Sequence, residues 1–511
     1  MGNLVKVLFF FLLTTHLWSK ELTIGSKAFS ESIILSEMLA QVLEENYNYK
    51  INRKMNLGGT KVLFDALDGG DIDLYPDYTG TGYIMLLKMQ GETDPQAVYD
   101  IVKKEYENRF GITWSPSLGF NNTYAIAVRE NDPRFKEIKT ISDIIPIANK
   151  LRFVAAHESM ERKDGYKAFK EFYKIPFDDN KAKGVDSGLM YSAIRDDHAD
   201  MIMSYSTDGR IKAYNLKILE DDKKFFPPYY AAFLVKEKTL EDHPALVEIF
   251  ELFDDFISEE EMIEMNDLVD RAKREPKNIA HNFLVQKGII KGKIKKPQLS
   301  KGFIAYTLSK KNYLLKITKE HLLLSFGALF LALLVSIPTG VALTRFPKLS
   351  KLVFPIINTV QTIPSLALLG FLIPLMGIGY LPAVIALFLY SLLPLIRNTY
   401  SGIEGVNSNY IEASRGLGLT PMQILFKVEI PLAMPIILAG VRTASVIVIG
   451  TATLAALVGA GGLGEPIFRG VATVNGNLIL LGAIPSAILA IVVDKFWEVL
   501  EKKLVSPGIR L

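Results

Sequence analysis

The apolar positions of this chain follow two regimes. Through residue 295 they come in short β-rich runs, as at 22–25, 152–156 and 201–205, alternating with stretches at helical spacing. Between 30 and 45, Ile33, Ile34, Met38, Leu39, Val42 and Leu43 share one helical face, and Ser30, Glu31 and Ser32 supply a capping start. Strands alternating with amphipathic helices predict sheets covered by helices, and about 275 residues of such alternation divide naturally into two lobes. From 296 to 320 the pattern turns polar, with Lys301, Lys310, Lys311, Lys316 and Lys319. Uncharged runs follow at 322–344, 353–376, 381–396, 433–458 and 477–493, each near the ~20 residues that cross a bilayer as a helix. Five membrane helices are therefore expected. Pro338, Pro355, Pro364, Pro374, Pro394, Pro435 and Pro485 predict kinks, and the second run leaves room for a re-entrant turn.

Charge and composition narrow the compartment and the partners. Fifty-eight basic against 55 acidic residues give +3, too balanced for a nucleic-acid footprint. The absence of cysteine excludes disulfides, thiolate nucleophiles and Cys-ligated zinc. Lys6 before an apolar run at 7–13 reads as a signal peptide or signal anchor over 1–20, which places residue 21 onward outside the cytoplasm. If the chain enters its first span from outside, Arg345, Lys348, Lys351, Arg397, Arg415, Lys427, Lys502 and Lys503 all fall inside, and the short outer loops carry only Arg469. The expected layout is a signal at 1–20, a soluble domain at 21–295, a linker at 296–317 and a membrane domain at 318–505 of a multi-pass inner-membrane protein.

The chemistry-bearing motifs are not those of an enzyme. No Gly-x4-Gly-Lys-[Ser/Thr] phosphate loop exists, since the run 287–293 has the wrong spacing and ends in Ile294. The histidines lack metal-ligand spacing, and no nucleophile–base or paired-carboxylate constellation stands out, so neither a metal nor a cofactor is expected.

Two groups of motifs carry a resemblance. The segment Tyr410-Ile-Glu412-Ala413-Ser414-Arg-Gly-Leu-Gly418, continuing through Val428-Glu-Ile430-Pro431, resembles the Glu-Ala-Ala coupling loop of ABC importer permeases. Such a loop supplies a short helix, a glycine turn and a second helix that can seat in a groove of a partner ATPase. Gly459-Ala-Gly-Gly-Leu-Gly464 is similar to a glycine-rich segment of the same permeases. In the soluble half, Gly25-Ser-Lys27-Ala-Phe-Ser-Glu31, Tyr75-Pro-Asp-Tyr78-Thr-Gly-Thr81, Gly119-Phe-Asn-Asn-Thr-Tyr124, and Tyr205-Ser-Thr-Asp-Gly-Arg210 with Phe225-Phe-Pro-Pro-Tyr229 together resemble binding proteins of the osmoprotectant family, importers of glycine betaine, carnitine and choline.

The resemblance implies a tyrosine cage at Tyr78, Tyr124, Tyr205 and Tyr229, with Thr81 and Lys27 near the ligand. A trimethylammonium has no hydrogen to donate, so ring faces grip it where a hydrogen bond cannot, at up to ~2 kcal/mol each when desolvated. Lys27 would repel choline yet can pair with a carboxylate, which favours a zwitterion, with betaine, carnitine and ergothioneine all open. His157 and Glu158 lie in a loop where ligand contacts are plausible but packing is favoured, and Asp208 with Arg210 read as a structural pair at the hinge.

The resemblance thus implies an α/β two-lobed type II periplasmic-binding fold followed by an all-α polytopic membrane domain. It also implies a homodimeric permease in the lipid bilayer, a separate cytoplasmic ABC ATPase and a small quaternary-ammonium solute as partners. The coupling residues are Glu412, Ala413, Gly418 and Pro431. A membrane-anchored solute receptor that transports nothing, and a membrane enzyme, are the rival readings.

Overall fold

The computed structural model describes residues 21–295, 302–473 and 475–506; the signal expected at 1–20 and the start of the expected linker lie outside the described residues. Two five-stranded sheets form the first half. One has the order β2-β1-β3-β10-β4, built from β1 (Glu21–Gly25), β2 (Lys50–Lys54), β3 (Leu74–Tyr78), β4 (Ile112–Trp114) and β10 (Ala231–Lys236). The other has the order β7-β6-β8-β5-β9, built from β5 (Tyr124–Arg129), β6 (Phe153–Ala156), β7 (Ala182–Val185), β8 (Met201–Tyr205) and β9 (Leu216–Leu219).

In each sheet one strand runs against its neighbours: β10 lies antiparallel to β3 and β4, and β5 antiparallel to β8 and β9. The chain therefore crosses between lobes twice, after β4 and after β9. The two crossings are stitched together by the Asn121–Tyr230 bridge and by Tyr229 N donating to Asn121 Oδ1 at 2.7 Å. This is the two-lobed α/β fold expected from the sequence.

Helix α1 (Ser30–Tyr47) follows β1 and is buried along its first fourteen positions, Ser30 to Leu43, as its apolar run requires. The expected serine cap is replaced. Phe29 occupies the cap position without a side-chain bond, while Ser30 Oγ donates to Asp270 and Ser32 Oγ accepts from Lys27 N at 2.9 Å. The serines face tertiary partners that a local capping rule cannot see. Asp270 closes helix α3 (Glu259–Asp270), whose own start carries a complete capping box between Ser258 and Glu261. Helix α2 (Ser187–Arg195) precedes β8.

The second half is helical: α4 (Lys311–Arg345), α5 (Pro347–Thr362), α6 (Ser365–Met376), α7 (Tyr380–Glu404), α8 (Ser408–Gly416), α9 (Ile430–Thr451), α10 (Gly464–Ala472) and α11 (Gly476–Leu504). Among the described residues, α4, α7, the composite helix Pro421–Val458 and α11 are each long and apolar enough to span a membrane, while α5 and α6 form one pair bent by 98°. The second expected span is thus broken, at Ile363-Pro364, where Pro364 withholds its N–H and constrains the residue before it.

The segment read as linker also changes character, being helical over Phe303–Ser309 and entering α4 at Lys311. Its lysines are good helix formers, and Lys316 pairs with Glu320 one turn on at 3.7 Å. Helix packing relies on small residues, as it does in membranes generally. A Cβ at Gly440 of α9 would sit 2.5 Å from Asn398 Cβ of α7.

The halves touch. Ile378, between α6 and α7, is buried in the core of the first lobe and donates its N–H to Asp71 Oδ2 at 2.8 Å. Lys310 pairs with Glu275 at 2.8 Å.

Candidate functional site

A cleft of about 330 Å³ opens between the two sheets, within the usual range for small-molecule sites. Tyr78, Tyr124, Tyr205, Tyr229, Thr81 and Lys27 all line it, so one site gathers residues from four distant stretches of chain. The sheets explain the gathering. Tyr78 ends β3, Tyr205 ends β8, Tyr124 opens β5 directly opposite Tyr205, and Tyr229 leads into β10. Strand termini that face across the interlobe gap deliver their side chains into it.

Three rings form a connected group. Tyr124 lies 5.3 Å from Tyr205 at 31° and 5.7 Å from Tyr229 at 82°, the latter an edge-to-face contact. Tyr78 stands apart and stacks on Phe29 at 6.2 Å. Each ring is held. Tyr78 Oη donates to Glu31 Oε1 at 2.6 Å, Ser159 Oγ donates to Tyr124 Oη at 3.1 Å, and Tyr229 Oη donates to Asp164. Burial pushes the Tyr124 phenol up to about 12 and drives Tyr78, Tyr205 and Tyr229 well above their ordinary range, so the rings stay neutral at physiological pH.

The charges are arranged differently from the sequence expectation. Lys27 lines the cleft, but its ammonium already pairs with buried Asp77 at 2.5 Å and lies 5.4 Å from the Tyr78 ring. A second cation, Arg162, was not singled out by the sequence. It is buried, lies 5.6 Å over the Tyr124 ring, and makes a fork to Asp164 at 2.7 and 2.5 Å. In the sequence Arg162 sits in a charged run, Glu161-Arg-Lys-Asp164, which reads as a solvated surface. Neither Asp77 nor Asp164 is among the cleft-lining residues. His157 and Glu158 do line it, while Asp208 and Arg210 pair at 2.6 Å and face a smaller adjoining cavity. From the membrane half, Leu457 reaches the cleft wall.

The second candidate surface is the segment after α7. Helix α8 carries Glu412 and Ala413 exposed, Gly418 turns the chain at a φ of 82°, and a short helix Pro421–Ile424 follows behind a Thr420–Gln423 capping box. Tyr410, Leu417, Met422 and Phe426 are all more than half exposed. The turn does not end at Pro431 as a separate loop. The chain continues through a π-helical turn, Leu425–Glu429, into α9, because Pro431 has no N–H to give the preceding turn and its ring forces the wider register. Glu429 is buried and pairs with Arg345 at the end of α4.

Comparison with known proteins divides the chain the same way. Residues 20–286 match the family described as the substrate binding domain of ABC-type glycine betaine transport system, and residues 332–506 match the binding-protein-dependent transport system inner membrane component. The carnitine transport binding protein OpuCC of Listeria monocytogenes serotype 1/2a (strain 10403S) is 39% identical over 272 residues, 53% of this chain and 88% of that protein. The choline transport system permease protein OpuBB of Bacillus subtilis (strain 168) is 49% identical over 193 residues, 38% of this chain and 89% of that protein. The ergothioneine transport permease/ergothioneine binding protein EgtU of Helicobacter pylori (strain G27) is 33% identical over 294 residues, 56% of this chain and 52% of that protein.

Proposed function

The chain belongs to the family of ABC-type glycine betaine substrate-binding domains, here fused to a transport permease, and from that premise we propose that it captures a zwitterionic trimethylammonium solute outside the cell and passes it through its own membrane half. The observation that carries this reading is the convergence of four neutral tyrosines and two cations, Lys27 and Arg162, on one cleft. The ring faces suit a diffuse cation, at up to ~2 kcal/mol each. The lysine and arginine bring positive charge to a carboxylate at the other end of the same molecule, although each already has a carboxylate partner: Asp77 for Lys27, and Asp164 with the more distant Glu158 of the cleft wall for Arg162. Glycine betaine, carnitine and ergothioneine combine both charges; choline has only the first.

A separate cytoplasmic ATPase drives transport in this reading. The exposed apolar residues of the 408–426 segment supply its seat, and the pair between buried Glu429 and half-exposed Arg345 carries its motion into α4. Two copies of the chain build the pore within the inner membrane, with the cleft on the outer side.

Titration calorimetry on the purified full chain in micelles tests the solute. The reading expects the three zwitterions to bind at least about tenfold more tightly than choline in at least one case, a difference of about 1.4 kcal/mol. Failure of all four to bind, or a consistent preference for choline, would refute it.

A further inference from the structure

The carboxylate of Glu31 is the least conventional group near the cleft. It sits in the first turn of α1, only 3% exposed, and both oxygens are saturated. Oε1 accepts from Tyr78 Oη at 2.6 Å and Asn122 Nδ2 at 2.7 Å; Oε2 accepts from Thr207 Oγ1 at 2.7 Å and Asn266 Nδ2 at 2.7 Å. Asn266 Nδ2 also donates to the Thr207 carbonyl at 3.0 Å, which fixes its amide as a donor. A protonated carboxyl would have to donate, which only the Tyr78 and Thr207 hydroxyls could accept, at the loss of the bond each gives to the carboxylate. The four donors favour the ionised form, while burial, the larger influence, pushes the carboxyl above its ordinary range.

The other buried carboxylates of the region answer to cations. Asp77 has Lys27, Asp164 has Arg162, and Asp208 and Asp270 share Arg210. Among the described residues no lysine, arginine or histidine pairs with Glu31, and its partners are neutral. When ionised, Glu31 is thus an uncompensated negative charge one phenol ring behind the cleft wall. A short bond from a phenol to a carboxylate moves electron density onto the ring, and in a low-dielectric interior the charge itself acts over several ångströms. Both effects deepen the negative potential at the Tyr78 face.

We propose that Glu31 is a positioning and selectivity residue that, through the Tyr78 hydroxyl, makes the cleft prefer a positively charged headgroup over a neutral one of the same shape. The inference rests on the solute reading given above and deepens it. Charge selection is assigned to a residue that does not touch the solute, while shape selection stays with the rings. Glu31 also ties Tyr78 of the first lobe to Thr207 of the second, so its bonds hold the Tyr78 face in register with the rings opposite.

The test uses the full chain in micelles and two pairs of probes that differ only in carbon for nitrogen: glycine betaine against tert-butylacetate, and choline against its neutral carbon isostere. In Glu31→Gln, which keeps the side-chain shape, affinity for the better-bound cation is expected to fall about tenfold, and affinity for its neutral isostere to stay within about twofold. Equal losses for both members of a pair, or an unchanged cation affinity, overturn the inference, because a purely structural role treats the two shapes alike. If Glu31→Gln does not fold, Tyr78→Phe keeps the ring and cuts the link; it is expected to lose the same preference, and retention of the preference overturns the inference. A wild-type chain that binds neither cation, nor carnitine or ergothioneine, removes the solute reading and this inference with it. A wild-type chain that binds the cation while Glu31→Gln leaves the preference intact removes this inference alone.

Discussion

The tyrosine-lined cleft and the 408–426 segment are built on opposite principles. In the cleft, every tyrosine ring is buried or half-buried, three of the four hydroxyls have a named partner, and both cations, Lys27 and Arg162, are matched inside the same chain. In the 408–426 segment, Leu417 is 82% exposed, Met422 64% and Phe426 61%, and nothing among the described residues covers them. The first arrangement is pre-organised, so a ligand finds its contacts already in place. The second is incomplete, and an exposed apolar cluster of that size marks a surface awaiting a partner. A chain that only sensed its solute would have need of the first and none of the second.

Substitutions can break this contrast, and the largest effect is expected at its centre. Tyr124 touches Tyr205, Tyr229 and the Arg162 guanidinium, so Tyr124→Ala removes a ring face and loosens two others. Solute affinity should fall about a hundredfold, near 3 kcal/mol, in calorimetry; a loss under threefold would mean that the rings are packing and not a cage.

Next comes Lys27→Gln, which orphans the buried Asp77 carboxylate. Breaking such a pair costs about 3–5 kcal/mol, visible as a lowered Tm, and adding Asp77→Asn should restore most of it. The double variant, not the single one, then isolates the contribution of Lys27 to carboxylate recognition. A single variant with unchanged Tm would contradict the pairing.

Leu417→Ser with Met422→Ser alters only the exposed segment. Energised uptake in vesicles should drop about tenfold while solute affinity stays put, consistent with loss of ~1.4 kcal/mol of docking energy. A parallel fall in affinity would erase the distinction between the two surfaces. The smallest change is expected from Ser159→Ala, which frees the Tyr124 hydroxyl and should weaken binding two- to fivefold, about 0.5–1 kcal/mol; no change would show that packing alone fixes that ring.

What the sequence disclosed follows the same divide between local and tertiary information. The membrane runs were legible because about twenty uncharged residues in a row have few alternatives. Their ends were not, because Lys311 through Glu320 continue α4 as a helix after the hydropathy has fallen. The two-lobed fold was legible from alternating strands and helices, and the tyrosines from the motifs around them. The electrostatics of the cleft were not legible. The partners Lys27–Asp77 and Glu31–Thr207 lie 50 and 176 residues apart, and no spacing rule links them. Arg162 was hidden for the converse reason, since its partner Asp164 is two residues away and the pair reads as solvated charge until burial is known.

The most direct measurement is a structure of the full chain with glycine betaine, carnitine or ergothioneine bound. The account expects the trimethylammonium nitrogen within about 6 Å of the ring centroids of Tyr78, Tyr124, Tyr205 and Tyr229. It expects the carboxylate toward Lys27 and Arg162. Solute found instead in the separate cavity beside Tyr83, Glu92 and Lys224, or in the cleft with its carboxylate against the rings, would contradict it.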